Sequence, residues 1–381
     1  MRKLSPAGLF LFGKGGAFAC LEGVWKNFVQ KGMIGKGETI RFLDLFAGMG
    51  GLREGLTCAG DFVCVGHCEI DRHADRSYCA LFDTEGEWFC DDIKKAEPTE
   101  IPEFDLLCAG FPCQPYSISG ARKGFYDPRG NLFFEITRLA AARQPAYLLL
   151  ENVPGLLSHD SGRTFTAILH ALEGLGYFVE WQVLDSKDFH VPQSRRRLYL
   201  IGYLDKRCRG KILPFTKTAG TAPQQIIPGK QRERVYSPQG VGCTLTSQAG
   251  GFGGKTGLYA VGLPIKEATQ QGYKIAYPGD SVNFAYAQRN TRRGRVGRQI
   301  AHTLTTDASQ GVVEWPGRIR RLTPRECLRL QGWKDGRSDK VLAIQSDTQI
   351  YKQAGNGVTV TVVEAIGRRM AAMHRELREG G

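Results

Sequence analysis

Four residues able to bind or react each follow a short apolar run. Asp44 precedes the turn Phe46-Ala47-Gly48-Met49-Gly50-Gly51, Glu69 and Glu151 close later runs, and Cys113 follows a further one. Most cysteines are inert core residues. Cys113, however, lies in Gly110-Phe111-Pro112-Cys113-Gln114-Pro115, where flanking prolines fix the loop, and a thiol held there is available as a thiolate nucleophile. Glu151 opens Glu151-Asn152-Val153-Pro154-Gly155. Partial desolvation raises the pKa of such a carboxylate and suits it to donate a proton near neutrality, although it could equally cap the following turn. In Gln193-Ser194-Arg195-Arg196-Arg197, strand alternation points Arg195 and Arg197 together and Arg196 away; a solvated basic margin is the plainer alternative.

The elements that must position these groups are legible from residue 40 onward. Strands are expected at Ile40–Leu45, Phe62–Val65, Phe104–Cys108, Ala146–Leu150, Phe178–Leu184 and Leu198–Ile201. Helical spacing marks Gly51–Ala59, Asn131–Arg143, Thr164–Leu175, Pro324–Leu330 and a last stretch from Val358 to about Leu377. Alternating strands and helices predict a mostly parallel α/β sheet, with ligands beyond the carboxyl ends of its strands. All four candidate groups fall at that end.

The glycine turn lets backbone approach a ligand, and Glu69, 21 positions after Gly48, suits a ribose hydroxyl pair. Position 53 is Arg, so the full dinucleotide fingerprint is absent. The turn is either structural or a site for a nucleoside cofactor without a pyrophosphate, a description that S-adenosylmethionine meets.

The chain has 381 residues, enough for one large domain and a smaller one. Hydrophobic residues at 42% and charged residues at 23% exclude a disordered or fibrous chain. With no run of ~18 apolar residues, no membrane span is expected. Charge is unevenly placed: residues 1–200 carry 22 basic and 25 acidic side chains, net −3, and residues 201–381 carry 29 and 13, net +16. The second half is a candidate for binding a polyanion. Residues 203–317, rich in Gly, Gln, Thr and Arg, read as an irregular β-rich insert, in which Gly242-Cys243-Thr244-Leu245-Thr246 is echoed by Ala301-His302-Thr303-Leu304-Thr305. Four segments follow: a leader or arm of unknown role at 1–39, an α/β domain at 40–202, the insert at 203–317, and 318–381 returning to the α/β domain. Lys14 and two glycines interrupt the apolar run Leu9–Phe12 that imitates a secretory signal. Eleven cysteines without a Cys-x-x-Cys pair argue for free thiols in a reducing compartment. The cluster Cys64, His67, Cys68, His73 and Cys79 lacks zinc-knuckle spacing, spans a strand and the helix after it, and is expected to hold no metal.

In this order the motifs resemble the bacterial cytosine-5 DNA methyltransferases, over roughly Ile40 to Arg369. They run from Asp44-Leu45-Phe46-Ala47-Gly48-Met49-Gly50-Gly51 through Gly110-Phe111-Pro112-Cys113-Gln114, Glu151-Asn152-Val153 and Gln193-x-Arg195-x-Arg197. Arg321-Leu322-Thr323-Pro324-Arg325-Glu326 and Gly355-Asn356-Gly357-Val358 complete the series. The resemblance implies a Rossmann-like S-adenosylmethionine-dependent methyltransferase sheet carrying a smaller β-rich target-recognition domain. It implies that Cys113 adds to C6 of a flipped-out cytosine, Glu151 holds and protonates N3, Arg197 bonds O2 and Arg195 braces the site. The cofactor would lie against Phe46, Gly48, Gly50 and Leu52, with Glu69 on the ribose, Asp92 and Ile93 near the adenine, and Leu132 and Asn356 completing the pocket.

The partner so implied is double-stranded DNA, with the base extruded. The stretch from Cys113 to Asn131, with Gln114, Ser117 and Ser119, resembles the family's closing loop. Gln231, Arg234, Tyr236 and Thr244 resemble its DNA contacts, and Arg289 to Arg298 holds five arginines, Arg292 and Arg293 among them, available to phosphates. A monomer in the bacterial or phage-host cytoplasm, at the nucleoid, is expected, either beside a restriction endonuclease acting on the same site without binding or as an orphan methyltransferase. The alternatives are a tRNA cytosine-5 methyltransferase, which would lack the basic insert, and a catalytically idle DNA-binding protein. A cysteine hydrolase is disfavoured because no His or Asn partner falls near Cys113.

Overall fold

The computed structural model describes residues 39–112, 132–216, 225–227, 235–236, 258–259, 262–285, 295–306, 309–314 and 318–379. Its centre is a seven-stranded sheet: β1 (Ile40–Leu45), β2 (Phe62–Cys68), β3 (Trp88–Cys90), β4 (Leu106–Gly110), β5 (Tyr147–Asn152), β6 (Phe178–Asp185) and β7 (Arg196–Tyr203), in the spatial order β3-β2-β1-β4-β5-β7-β6. The first five strands pair in parallel, and β7 runs antiparallel to both β5 and β6. The order reverses on either side of β1, so a crevice opens between the carboxyl ends of β1 and β4, where open α/β sheets bind ligands.

Both faces of the central strands are covered, which is why they read as continuous apolar runs. Ile40 and Phe42 of β1 pack on one side with Val363, Ile366 and Met370, and Leu43 and Leu45 pack on the other with Phe133, Ile136 and Leu139. These partners come from α8 (Val360–Glu379) on the first face, where Leu52 and Leu56 of α1 (Gly51–Ala59) join them, and from α3 (Leu132–Arg143) on the second, where Ile168 and Leu172 of α4 (Arg163–Gly174) join them. Each fully buried aliphatic or aromatic side chain contributes roughly 1.5–3 kcal/mol. Helix α8 lies so close to α1 that a Cβ on Gly55 would sit 2.5 Å from Val363 Cβ. Chain end and glycine turn therefore form one body, as the apolar face from Val358 to Leu377 predicts.

Between β7 and α8 the described insert is β-rich. A hairpin joins β11 (Leu263–Lys266) and β12 (Tyr273–Ala276), after short strands β8 (Gln225–Ile227), β9 (Val235–Tyr236) and β10 (Leu258–Tyr259). A four-stranded sheet has the order β14-β13-β15-β16, formed by β13 (Ser281–Asn283), β14 (Val296–Gly297), β15 (Gln310–Glu314) and β16 (Arg318–Arg321). Helix α5 (Pro324–Leu330) starts in a capping box between Thr323 and Glu326, and matches the expected span. The other helices are α2 (Arg72–Leu81), capped by Asp71, α6 (Asp335–Leu342) and α7 (Asp347–Asn356), capped by Ser346. Sequence periodicity missed α6, which buries only Ser338 and Val341, the ten-residue α7 and the three-residue β3. Among the described residues no helix is long and apolar enough to cross a membrane.

Candidate active site

Neighbouring strands bring distant motifs together. Gly110, the last residue of β4, is the register partner of Glu151 on β5, and Glu151 in turn faces Tyr199 on β7. A Cβ on Gly110 would lie 3.6 Å from Glu151 Oε2, so the carboxylate stands directly over the strand end that leads to Phe111-Pro112-Cys113. Asn152 Nδ2 donates to Phe111 O (3.3 Å), tying that approach to β5. Cys113 itself lies outside the described residues.

Glu151 is buried, and its Oε1 is 3.0 Å from Arg197 Nε in an ion pair whose side chains are 11% and 16% exposed. Burial pushes the Glu151 carboxyl above its ordinary range; Arg197 and Arg195 pull it partly back. Arg196 is exposed, as strand alternation requires. Arg195 takes a different task from Arg197. Its guanidinium donates to Gly355 O (3.0 Å) and Gly357 O (2.6 Å), so it holds the carbonyls on either side of Asn356 rather than the Glu151 carboxylate. Only one of the two arginines reaches the carboxylate.

A second group of residues lines the crevice at β1, β2 and β3. Phe46, Gly48 and Gly50 have φ of 54°, 59° and 89°, a left-handed turn that glycine permits at two of the three positions. Glu69 Oε2 accepts from Gly48 N (2.7 Å) and Oε1 from Asp71 N (2.8 Å), so the carboxylate braces the turn from the end of β2. Burial nonetheless raises the Glu69 pKa. Glu69 N donates to Cys90 O (3.3 Å), which sets the end of β3 and Asp92 alongside. The carboxylate of Asp92 caps the short turn Ile93–Lys95. The side chains of Leu52 and Ile93, 3% and 2% exposed, belong to the core, which leaves only their backbone to face a ligand. Leu132 opens α3 and is partly buried against the core cluster that holds Ile93. Val358 packs on Gly51, with Cγ2 2.8 Å from where a Cβ would be, and so brings Asn356 to the glycine turn.

The donor set fits a nucleoside carrying an amino-acid tail. Nothing lies within 4 Å of the Cβ position of Gly48, and the first N–H groups of α1 follow an N-cap glycine, ready for a carboxylate. Ile70, missed in the sequence reading, is 72% exposed directly after Glu69, an apolar surface suited to a purine face. An apolar residue immediately after Glu69, the residue expected at the ribose, was the available signal.

Arg53, where a dinucleotide site would have glycine, is structural. It grips Glu87 through two bonds (2.6 and 2.7 Å), donates to Asp83 O (2.9 Å) and lies 4.6 Å from the Phe82 ring centre. Asp44 is fully buried near it, accepts from Tyr78 Oη (3.4 Å), and is pushed up to about 8, chiefly by desolvation.

Among the expected DNA contacts, Gln114, Ser117, Ser119, Gln231, Arg234, Thr244, Arg292 and Arg293 lie outside the described residues. Two of the five arginines expected to reach phosphates are engaged otherwise. Arg295 is 5% exposed, and Arg298 donates to Asp280 Oδ2 (2.5 Å). The second Thr-Leu-Thr segment is built into the α/β body: Thr303 Oγ1 donates to Ser194 O (3.0 Å), Leu304 N to Gln193 Oε1 (3.0 Å), and the Leu304 side chain is core. The five-residue His/Cys cluster separates. Cys64 Sγ turns to Tyr78 Oη, and His67 Nε2 is bonded to Asp75 Oδ1 (3.0 Å), with Cys79 Sγ 3.9 Å from the same oxygen. An ion held by His67 Nε2 would displace that bond and leave a proton on the buried Nδ1, which has no acceptor among the described residues.

A model of the family described as C-5 cytosine-specific DNA methylase matches residues 40–372. The Type II methyltransferase M.DsaV of Dactylococcopsis salina is 36% identical over 335 residues, 87% of this chain and 86% of the relative. The Type II methyltransferase M.NlaX of Neisseria lactamica is 37% identical over 337 residues, 87% of this chain and 96% of the relative. Among solved structures, the Entamoeba histolytica methyltransferase EhMeth shares the fold at 16% identity, with a TM-score of 0.56 over 89% of this chain and 99% of that one. The chain belongs to the C-5 cytosine-specific DNA methylases and is a DNA (cytosine-5-)-methyltransferase.

Proposed function

We propose that the chain moves the methyl group of S-adenosylmethionine to C5 of a cytosine flipped out of double-stranded DNA, through a covalent bond from Cys113 to C6. The observation that carries this reading is Glu151 paired with Arg197 at 3.0 Å, above the strand end three residues before Cys113.

Cytosine C5 is too weak a nucleophile to take a methyl group unaided. The Cys113 thiolate forms a bond to C6, the C5–C6 π pair shifts onto C5, and the Glu151 carboxyl, whose pKa burial raises, gives its proton to N3. Arg197, already facing Glu151, donates to O2 of the same ring. When bound, the cofactor supplies an electrophilic methyl group on a sulfonium. Methylated C5 then loses its proton to a base, the C5–C6 double bond re-forms as the thiolate leaves, and N3 returns its proton to Glu151. Phe46, Gly48, Gly50, Glu69, Ile70, Asp92, Leu132 and Asn356, with backbone from Leu52 and Ile93, hold the cofactor in the crevice.

Residues 40–202 with 318–381 form the catalytic domain in this reading, and 203–317 the target-recognition domain. Gln114, Ser117 and Ser119 of the catalytic domain and Gln231, Arg234, Thr244, Arg292 and Arg293 of the recognition domain are the DNA contacts. Arg195 acts as a brace. The protein works as a monomer on cytoplasmic, nucleoid-borne DNA, and the type II relatives favour a companion endonuclease that reads the same site. Duplex DNA carrying 5-fluorocytosine tests the chemistry, because fluorine at C5 cannot leave as a proton. With S-adenosylmethionine, the wild-type protein should form an adduct that survives denaturation and Cys113→Ser should not. An adduct in the variant, or methylation of tRNA in preference to DNA, would overturn the reading.

A further inference from the structure

Helix α7 ends at Asn356, and its last carbonyls have no partners within the helix. Two side chains from elsewhere satisfy two of them, Ala354 O and Gly355 O, and also hold Gly357 O just beyond the helix. Gln331 Nε2 donates to Ala354 O and, at 3.4 Å, to Gly357 O, and Arg195 donates to Gly355 O and Gly357 O. The guanidinium charge also complements the negative end of the helix dipole. Gln331 is itself held from two sides: Thr359 Oγ1 donates to its Oε1 (2.9 Å), and Gln193 Nε2 lies 3.3 Å from the same atom. Ser186 Oγ is 2.7 Å from Thr359 Oγ1 and reaches Arg195 O at 3.2 Å. Gln193 and Gln331 are 0% exposed, Thr359 1%, Arg195 and Ser186 2%.

This buried network joins three parts of the site. One is the loop carrying Asn356, on the cofactor side. Another is the start of β7, where Arg197 is two residues from Arg195 and touches Glu151, on the base side. The third is the foot of the recognition insert, where Leu304 N is bonded to Gln193 and Arg195 reaches Leu304 O at 3.4 Å. Polar groups this deeply buried have few alternative arrangements that keep their partners, so displacement of one part is felt by the others.

We infer that Gln331, with Arg195, is a positioning residue that couples the cofactor pocket to the base pocket, so that cofactor binding strengthens DNA binding through the cap of α7. The inference rests on the assignment of Asn356 to the cofactor and Arg197 to the base made above. Coupling of this kind is reciprocal and is measured as one ratio of affinities. Gln331→Met keeps the volume and removes both hydrogen-bonding ends.

The experiment compares the affinity for a duplex containing a methylation site mapped by bisulfite sequencing, with and without saturating S-adenosylhomocysteine, in full-length protein. The wild type should gain about fivefold or more in DNA affinity from the ligand. Gln331→Met should bring that gain to within about twofold of none, with cofactor-free DNA affinity little changed. A network that serves folding alone would lower the melting temperature and leave the ratio untouched. If Gln331→Met does not fold, Thr359→Val, which removes one hydroxyl bond to Gln331, should reduce the ratio by a smaller factor. An unchanged ratio in a folded variant, or no gain in the wild type, overturns the inference. Asn356→Ala, measured beside them, separates the two levels: unchanged S-adenosylhomocysteine affinity there sinks the Asn356 assignment itself, and reduced affinity with an intact ratio in Gln331→Met sinks only the coupling.

Discussion

Glu151 and Arg197 form an ion pair across two antiparallel strands, with Oε1 and Nε 3.0 Å apart in a position nearly closed to water. Neither residue would sit there for stability alone, since a buried pair seldom outweighs the cost of desolvating it. The opposing influences on the Glu151 carboxyl, burial upward and two arginines downward, suit a group that must exchange a proton with a base.

Glu151→Gln should therefore lower the methylation rate by about 100-fold or more, the usual worth of a positioned proton donor. Equilibrium binding of DNA and of the cofactor should move by no more than about threefold. Single-turnover assays beside binding titrations check this, and a variant with near-normal rate would remove Glu151 from the chemistry.

The pH dependence has a definite sign. The proton donor is lost as pH rises through the raised Glu151 pKa, so the rate of methyl transfer falls on the alkaline side. Arg197 holds that pKa down, so Arg197→Gln should slow the reaction and shift the alkaline limb to higher pH. Stability should drop by about 3 kcal/mol as well, because the carboxylate is left buried and unpaired. A limb that moves to lower pH would contradict the pairing.

Gly50 combines a φ of 89° with a Cβ position 2.3 Å from the Phe82 ring. Gly50→Ala should cost about 1–3 kcal/mol from backbone strain alone and weaken cofactor binding, as read by calorimetry and melting. Ile70, being exposed, offers the complementary case: Ile70→Ser should leave the melting temperature within a degree or so and still weaken S-adenosylhomocysteine binding several-fold. Equal affinities would place the purine elsewhere.

Asp44 tests the electrostatics of the turn. Its pKa is about 8 in the fold against 3.8 in the open chain. A raised carboxyl contributes stability that is complete below the open-chain value and is lost as pH rises through the folded one. Between about pH 4 and 8 the wild type should lose up to about 1.4 kcal/mol per pH unit from this group. Melting curves of Asp44→Asn should lack that component, and parallel pH profiles for the two proteins would count against a protonated Asp44.

Much of this was legible in the sequence because it is local. The apolar runs gave six of the seven strands, and the residue that ends each run marked the crevice before any pairing was known. Gly48 and Glu69 could be matched by their spacing alone. The Gln331 network could not, since Gln193, Gln331 and Thr359 are ordinary residues until chain segments 138 and 28 positions apart meet. The role of Arg53 was hidden for the same reason, its partner Glu87 being 34 positions away. Strand alternation put Arg195 and Arg197 on one side but could not separate their partners, because the carbonyls of Gly355 and Gly357 carry no mark in the sequence. The two Thr-Leu-Thr copies looked equivalent, and only the fold shows that Thr303-Leu304-Thr305 is built into the α/β body.

The most direct test of the central claim is bisulfite sequencing of DNA from cells expressing this protein, beside cells expressing Cys113→Ala. Cytosines protected in one short recurring context, and unprotected in the variant, are the predicted result. Protection that persists in the variant would contradict the nucleophile, and no protection in cells holding the folded wild-type protein would contradict DNA as the substrate.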